Sequence, residues 1–315
     1  MVCDAVCTST ARLDGKTAIV TGSNTGIGKI TVKDFYKRGG RVFMACRNVE
    51  KAEEAAEDIK KECEGLQNLG TIVVIKLDLS SLKSIRECAE HLLETEQHID
   101  ILVNNAGVMF CPESRTEDGF EMQIGTNHLG HFLFTLLLLP RIIKSAPARI
   151  VNVSSVGHSL LRGPMNLDDL NWEKRSYSAT QAYFQSKLAN VLFTKELARR
   201  LQEANIDGVT IYSLHPGAVD TELQRHADDT FFRGMSCLSN IFLKPFFKTP
   251  EQGAQTTIYC AVDENASKET GLYYAECKVK EPSSKAKNVE DARKLWDLSL
   301  KMVGLPEDYN HFVSM

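Results

Sequence analysis

The sequence of 315 residues lacks a basic block and a long apolar run, and its first residues contain no apolar stretch of signal-peptide length. Its 37 basic and 41 acidic side chains give a formal net charge of −4 at pH 7, and the basic residues are not clustered as they are on nucleic-acid-binding surfaces. The most apolar run, residues 132–139, is far shorter than the roughly 20 residues of a transmembrane helix. We therefore expect a cytoplasmic protein with no nucleic-acid partner, no transmembrane segment and no signal peptide.

Patterns for cysteine pairing and metal binding are also missing. The nine cysteines are an odd number, and no two of them form a Cys-x-x-Cys pair, so we expect reduced thiols rather than a disulfide framework. His128 and His131 have no third ligand at a suitable spacing, and we therefore expect structural histidines and no metal site. Because there is no internal repeat and no linker, residues 1–315 are expected to form one domain.

The sequence does contain a regular alternation of short apolar strands and amphipathic helices. Strands that are apolar throughout and separated by helices are typical of a parallel sheet that is buried on both faces. We therefore expect an α/β protein with a single-domain, Rossmann-type, doubly wound parallel sheet and helices on both faces. The predicted strands are residues 17–21, 41–46, 71–77, 99–103, 149–153, 209–214 and 271–275.

A glycine-rich turn joins the first predicted strand to the first predicted helix. Gly22, Gly26 and Gly28 have the spacing Gly-x-x-x-Gly-x-Gly, which permits a tight turn and lets a pyrophosphate approach the N-terminus of the helix. Arg47 follows the second strand, where an acidic residue would favour NAD and an arginine can pair with the 2′-phosphate of NADP. We therefore interpret this region as an NADP(H) site. Asp78, after the third strand, is placed either to contact the adenine or to cap the next element.

Tyr183 and Lys187 are four residues apart, a spacing that places both side chains on one face of a helix. An ammonium group beside a phenol stabilises the phenolate, so we expect the pKa of Tyr183 to be lowered and the phenol to exchange a proton near neutral pH. Tyr274 and Lys278 repeat the spacing within a predicted strand. They are therefore not a second candidate pair.

Six motifs occur in the order that is found in one enzyme family. They are residues 21–28, residues 104–107, Asn127, Ser155, Tyr183 with Lys187, and residues 215–221. With these motifs the chain resembles the short-chain dehydrogenases/reductases along nearly its whole length. Longer stretches, among them residues 105–109, 127–133 and 186–194, resemble the NADP-dependent retinol dehydrogenases within that family. Fold and cofactor site do not select a substrate, so the substrate class follows only by analogy.

The resemblance implies four catalytic residues. Tyr183 would exchange the proton with the substrate oxygen, and Lys187 would lower its pKa and bind the nicotinamide ribose. Ser155 would bind the same substrate oxygen, and Asn127 would hold Lys187 through a water molecule. Two alternatives stay open: Ser154 could supply the hydroxyl, because adjacent strand residues point to opposite faces, and Asn127 could be a simple helix cap.

The resemblance also implies contacts with NADP(H). Residues of the 215–221 motif match the loop that holds the carboxamide, and those of the 104–107 motif match the wall behind the adenine ribose. The expected cofactor contacts are Gly22, Asn24, Thr25, Gly26, Ile27, Gly28, Arg47, Asp78, Leu79, Asn104, Ala106, Gly107, Tyr183, Lys187, Pro216, Gly217, Val219 and Thr221.

Residues 222–250 match the position of the substrate lid in this family. Apolar residues recur there at spacings of three and four, which predicts an amphipathic helix. Such a lid suits a long apolar substrate. Residues 231–247 could also contact a membrane surface, with Lys244 and Lys248 near the headgroups, and core packing or a homodimer contact would explain the same pattern.

Together these features predict an NADP(H)-dependent oxidoreductase that interconverts a lipophilic alcohol and its aldehyde, with retinol and retinal as first candidates. In a cytosol rich in NADPH, reduction of the aldehyde is the expected net direction. A general carbonyl or steroid reductase is the alternative within the family. A nonenzymatic, nucleotide-sensing interaction protein is the alternative outside it, although the sequence keeps all four catalytic residues.

Overall fold

The computed structural model describes residues 5–219 and 247–306, together with residues 309 and 312. The strands are β1 (Thr17–Thr21), β2 (Arg41–Cys46), β3 (Thr71–Lys76), β4 (Ile101–Asn104), β5 (Ala148–Val153), β6 (Val209–His215), β7 (Leu272–Ala275) and β8 (Lys278–Val279). They form one sheet in the order β3-β2-β1-β4-β5-β6-β7-β8. All neighbouring strands are parallel except β7 and β8, which form an antiparallel pair.

Helices cover both faces of this sheet. They are α1 (Gly26–Lys37), α2 (Val49–Glu62), α3 (Leu82–Thr95), α4 (Met122–Ile124), α5 (Gly130–Lys144), α6 (Ala179–Glu203), α7 (Pro250–Val262) and α8 (Val289–Met302). A π-helical turn at Gly125–Leu129 joins α4 to α5. Short 3₁₀ turns occur at Val156–Ser159, Leu167–Asp169, Ala266–Lys268 and Lys285–Lys287.

Alternate residues of β1 lie on opposite faces of the sheet and pack in two separate hydrophobic cores. Ile19 packs with side chains of α3, α5, α6 and α8, whereas Ala18 and Val20 pack with side chains of α1, α2 and α7. All three residues are fully buried. The predicted doubly wound sheet with helices on both faces is therefore confirmed.

Strand positions agree with the sequence predictions to within one residue except at β4, and the two-residue strand β8 has no counterpart among the predictions. The predicted strand at residues 99–103 begins two residues later, at Ile101, because Ile99 precedes the ladder and its N–H bonds to the Ser145 hydroxyl. Tyr274 lies on β7, where its hydroxyl bonds to Glu269. Its spacing from Lys278 is therefore not helical, as predicted.

Both histidines near the start of α5 are structural. His128 Nε2 is 2.9 Å from the Ser299 hydroxyl, and His131 Nε2 is 2.9 Å from the Thr21 hydroxyl. Burial lowers the pKa of His128 to about 3 and that of His131 to about 4. In the described ranges, no cluster of three or more His, Cys, Asp or Glu side chains is arranged to hold a metal ion. No helix in those ranges combines the length and apolarity that crossing a membrane requires.

Most of the predicted substrate lid lies outside the described residues, as do Thr221 and most of the predicted membrane-contact segment 231–247. Lys248 is described, and its predicted position near lipid headgroups is wrong. Its side chain is buried and forms a 2.5 Å ion pair with Glu276. Its backbone N–H donates to the carbonyl oxygen of Ala218 at 2.7 Å, so Lys248 supports the 215–219 loop.

Candidate active site

A cleft of about 660 Å³ lies at the carboxyl ends of strands β1 to β6. The strand order reverses beside β1, which is where open parallel sheets bind their ligands. The cleft brings together most of the predicted site residues, namely Gly22, Asn24, Thr25, Gly26, Ile27, Gly28, Arg47, Asp78, Leu79, Ala106, Gly107, Ser155, Tyr183, Lys187, Pro216, Gly217 and Val219.

Two predicted residues do not line the cleft. Asn104 is buried inside the sheet, where its side-chain amide donates to Asn152 and to Thr135. Asn127 is also fully buried, behind the wall of the cleft. The position of Asn104 at the end of β4 therefore directs its side chain into the core, and a contact of its backbone with the cofactor stays a prediction.

The turn after β1 fits a pyrophosphate group. Gly22 and Gly26 have φ angles of +60° and +56°, which favour glycine. A Cβ atom on Gly22 would lie 2.7 Å from the Cβ of Ala106, so only glycine lets these two loops meet. Thr25 begins α1 without a side-chain capping bond. The first amides of this helix therefore face the cleft as donors for an anion.

Two basic side chains line the same cleft after the carboxyl end of β2. Arg47 is an exposed residue that follows β2, and Lys51 lies beside it in the lining. Sequence reasoning missed Lys51. Lys51 lies in the first turn of α2, where the helix dipole disfavours a cation. A lysine at such a position could have indicated an anion-binding role. Asp78 lines the cleft and also accepts hydrogen bonds from the N–H and hydroxyl of Ser80, so both of its predicted roles are compatible with the geometry.

Ser155, Tyr183 and Lys187 meet in the interior part of the cleft. Tyr183 and Lys187 lie one turn apart on α6, and Lys187 Nζ is 5.7 Å from the centre of the Tyr183 ring. Ser155 follows β5, and its hydroxyl acts to lower the pKa of the Tyr183 phenol. The Ser155 oxygen also accepts the Gly157 N–H at 3.0 Å. The neighbouring Ser154 hydroxyl instead donates to the backbone oxygen of Lys187 at 2.7 Å, so the geometry favours Ser155 over Ser154 as the working hydroxyl.

Burial controls the protonation of both candidate catalytic groups on α6. It raises the pKa of Tyr183 to about 12, a shift that the hydrogen bond from Ser155 reduces. It lowers the pKa of Lys187 to about 8. The expected fall in the Tyr183 pKa is therefore wrong, because desolvation of the phenolate is the dominant effect at this buried position. Tyr183 is held as a neutral phenol at physiological pH.

Asn127 connects the wall of the cleft to the catalytic helix. Its side-chain oxygen accepts the Val108 N–H at 2.8 Å, and its amide donates to the Val108 carbonyl and to the Ser186 hydroxyl, each at 2.9 Å. The residue lies in the π-helical turn, a feature that is frequent at functional sites. It is therefore more than a helix cap, and its predicted link to Lys187 through water stays a prediction.

Comparisons with known proteins agree with this geometry. Residues 16–165 match the family model of the short chain dehydrogenases. The chain is 51% identical to human retinol dehydrogenase 11 over 98% of its own length and 92% of that protein. It is 50% identical to human retinol dehydrogenase 13, over 96% and 89% of the two lengths.

Solved structures share the architecture. An uncharacterised protein from Mycobacterium paratuberculosis has a TM-score of 0.75 and 34% identity, and the match covers 96% of this chain and 99% of that one. The Pseudomonas aeruginosa RhlG/NADP active-site complex has a TM-score of 0.63 and 27% identity, over 83% and 94% of the two chains.

The chain belongs to the short-chain dehydrogenase family. It is an alcohol dehydrogenase-type oxidoreductase that uses a nicotinamide cofactor. The resemblance predicted from the six motifs is thereby confirmed.

Proposed function

We propose that this protein is an NADP(H)-dependent retinal reductase that interconverts retinol and retinal. The main support is that Ser155, Tyr183 and Lys187, the proposed catalytic residues, line the same cleft as a group of apolar side chains. Two human relatives at about half identity are named retinol dehydrogenases. The group of apolar side chains includes Met109, Phe110, Val156, Leu160, Phe184 and Phe247.

Cofactor choice follows from the two basic side chains that line the cleft after β2. The N-terminus of α1 would hold the pyrophosphate, and Arg47 with Lys51 would pair with a 2′-phosphate. We infer NADP(H) rather than NAD(H) from these two cations. When bound, the nicotinamide supplies or accepts the hydride at the carbonyl carbon.

The protein's own groups manage the proton at the substrate oxygen. The Tyr183 phenol, kept neutral by burial, donates its proton to the carbonyl oxygen as negative charge develops there. The Ser155 hydroxyl donates a hydrogen bond to the same oxygen, in the manner of an oxyanion hole. Lys187 stabilises the resulting phenolate, and its pKa of about 8 lets it exchange protons near neutral pH. The reverse order of proton transfers serves alcohol oxidation.

A substrate panel tests this function. Retinals, fatty aldehydes and steroids would be assayed with NADPH and with NADH, and Tyr183→Phe would serve as the control that lacks the donated proton. We expect retinal with NADPH to give the highest kcat/KM, and Tyr183→Phe to lose turnover by about a thousandfold while it still binds NADPH. Comparable rates for all three substrate classes would instead indicate a general carbonyl or steroid reductase. Absence of any turnover in the wild type would favour the nonenzymatic alternative.

We further propose a cytoplasmic protein that contacts a membrane peripherally. Reduced thiols support the compartment, since six cysteines in the described ranges are free thiols, namely Cys7, Cys46, Cys63, Cys88, Cys260 and Cys277. Val156 and Leu160 line the cleft and are 50% and 53% exposed, which gives its mouth an apolar rim. Sedimentation with lipid vesicles tests the contact, and recovery of all the protein in the supernatant would contradict it.

We also propose that the protein forms a homodimer, and α8 restricts the surface that a dimer could bury. Trp296 packs against Phe132 of α5 and Phe193 of α6, with ring centres 5.1 and 6.0 Å apart. Trp296 thus covers part of the surface formed by α5 and α6. Light scattering at micromolar concentration measures the oligomeric state, and a monomeric mass would rule the dimer out.

A further inference from the structure

Phe110 adopts a backbone conformation that phenylalanine rarely takes. Its φ angle is +53°, in the left-handed region where a side chain is strained, and such strain persists only where the surroundings enforce it. The residue follows the 104–107 motif and lines the cleft. Neither the cofactor turn nor the proton-transfer residues require this conformation.

Hydrogen bonds from buried side chains hold Phe110 in place. The Phe110 N–H donates to the side-chain oxygen of Gln123 at 2.8 Å. The amide of Gln123 donates to the Tyr177 hydroxyl at 2.9 Å, and this hydroxyl donates to the Cys111 carbonyl at 3.0 Å. Glu121 lies 3.1 Å from the same hydroxyl. The backbone on both sides of the Phe110 side chain is thereby fixed.

This conformation directs an aromatic ring at the catalytic phenol. The Phe110 ring meets Tyr183 edge to face at 5.3 Å and Phe184 at 6.3 Å. Phe184 in turn packs against the bare backbone of Gly157, where a Cβ atom would lie 2.8 Å from its ring. The space beside the phenol is therefore bounded by ring edges and by backbone, a shape that suits a flat group better than a flexible, saturated one.

We propose that Phe110 determines substrate specificity, because its ring contacts the carbon atoms next to the reacting carbonyl and favours a flat, conjugated aldehyde. Gln123 is the positioning residue that holds this ring. The inference deepens the proposed function and rests on it for the position of the reacting carbonyl beside Tyr183.

The Phe110→Gly variant separates the ring from the backbone. Glycine accepts a φ angle of +53° without strain, so the loop keeps its conformation while the aromatic contact is lost. The assay compares kcat/KM for all-trans-retinal, trans-cinnamaldehyde and decanal with NADPH as reductant. We expect a loss of about tenfold for the two conjugated aldehydes, mainly through KM, and a change below about twofold for decanal. NADPH affinity should not change.

Two further variants serve as comparisons. Leu66→Ala shortens a half-exposed residue outside the cleft and should leave the ratio between aldehydes unchanged. Gln123→Ala removes the side-chain acceptor of the Phe110 N–H. It should lower the ratio of kcat/KM for conjugated over saturated aldehydes, as Phe110→Gly does, although the Phe110 ring is still present.

The ratio between conjugated and saturated aldehydes decides the proposal. An equal loss for all three aldehydes in Phe110→Gly, or an unchanged ratio, would overturn it and assign Phe110 a structural role only. If the wild type reduces cinnamaldehyde and decanal but not retinal, the proposed retinal reductase fails, whereas the cinnamaldehyde-to-decanal ratio still tests Phe110.

Discussion

Replacement of Lys187 by methionine should raise the free energy of unfolding of this enzyme and should also abolish its turnover. Lys187 is buried, with only 3% of its surface exposed, and burial lowers its pKa from 10.5 to about 8. This difference corresponds to about 3 kcal/mol of unfavourable free energy for the charged group in the folded state. Methionine has a similar length and carries no charge. The Val153 carbonyl, which loses the Lys187 donor, keeps a hydrogen bond from Asn190 at 3.3 Å.

The pH dependence of this effect follows from linkage. Below pH 8 the lysine is protonated in both states, so the folded wild type carries the full penalty and Lys187→Met should be more stable by about 3 kcal/mol. Between pH 8 and the unfolded value near 10.5, folding releases a proton and the wild type regains stability as pH rises. The difference between the two proteins should therefore shrink across this window.

Urea unfolding at pH 7 and at pH 10 measures both parts of this prediction. Lys83→Met is the matched control, because the Lys83 side chain is 80% exposed and its replacement should change stability little at either pH. A Lys187→Met protein that is less stable than the wild type at pH 7, or a gain that is the same at both pH values, would refute the reasoning that desolvation dominates at this site.

Two other predictions concern the cofactor and the proton. Arg47→Ala should weaken NADPH binding by about 10- to 100-fold and NADH binding hardly at all, because a charge-assisted hydrogen bond to phosphate is lost; equal losses in fluorescence titrations would contradict the phosphate contact. For reduction, kcat/KM for NADPH should fall above about pH 8 as Lys187 loses its proton; a profile that stays flat to pH 10 would show that this proton is not required.

The sequence was sufficient to predict the fold and most of the cleft, because each relevant signal is local. Apolar strands separated by helices specify the sheet, and glycines after β1 specify the turn beneath α1. The side-chain direction of Asn104 was not predictable in this way. It depends on the facing residues Thr135 and Asn152, which are distant in sequence.

The protonation states of Tyr183 and Lys187 and the backbone strain at Phe110 could not be predicted without the structure. The spacing of Tyr183 and Lys187 indicated that they are neighbours, but not that desolvation would be the dominant effect on both pKa values, because burial depends on the whole core. Phe110 gave no signal at all. Its positive φ angle occurs with a hydrogen bond to Gln123, thirteen residues later, and does not follow from any property of phenylalanine.

The segment from Glu121 to Asn127 explains how one part of the chain supports both the chemistry and the substrate wall. Gln123 fixes Phe110, and Asn127 fixes Val108 through both its N–H and its carbonyl. The same Asn127 amide bonds to the Ser186 hydroxyl, directly before Lys187 on α6. The π-helical turn places the Asn127 side chain between the loop at Val108 and helix α6. We therefore expect a shift of that loop to be coupled to a shift of α6. Changes at Asn127 should therefore affect kcat and substrate selectivity together, whereas changes at Phe110 should affect selectivity alone.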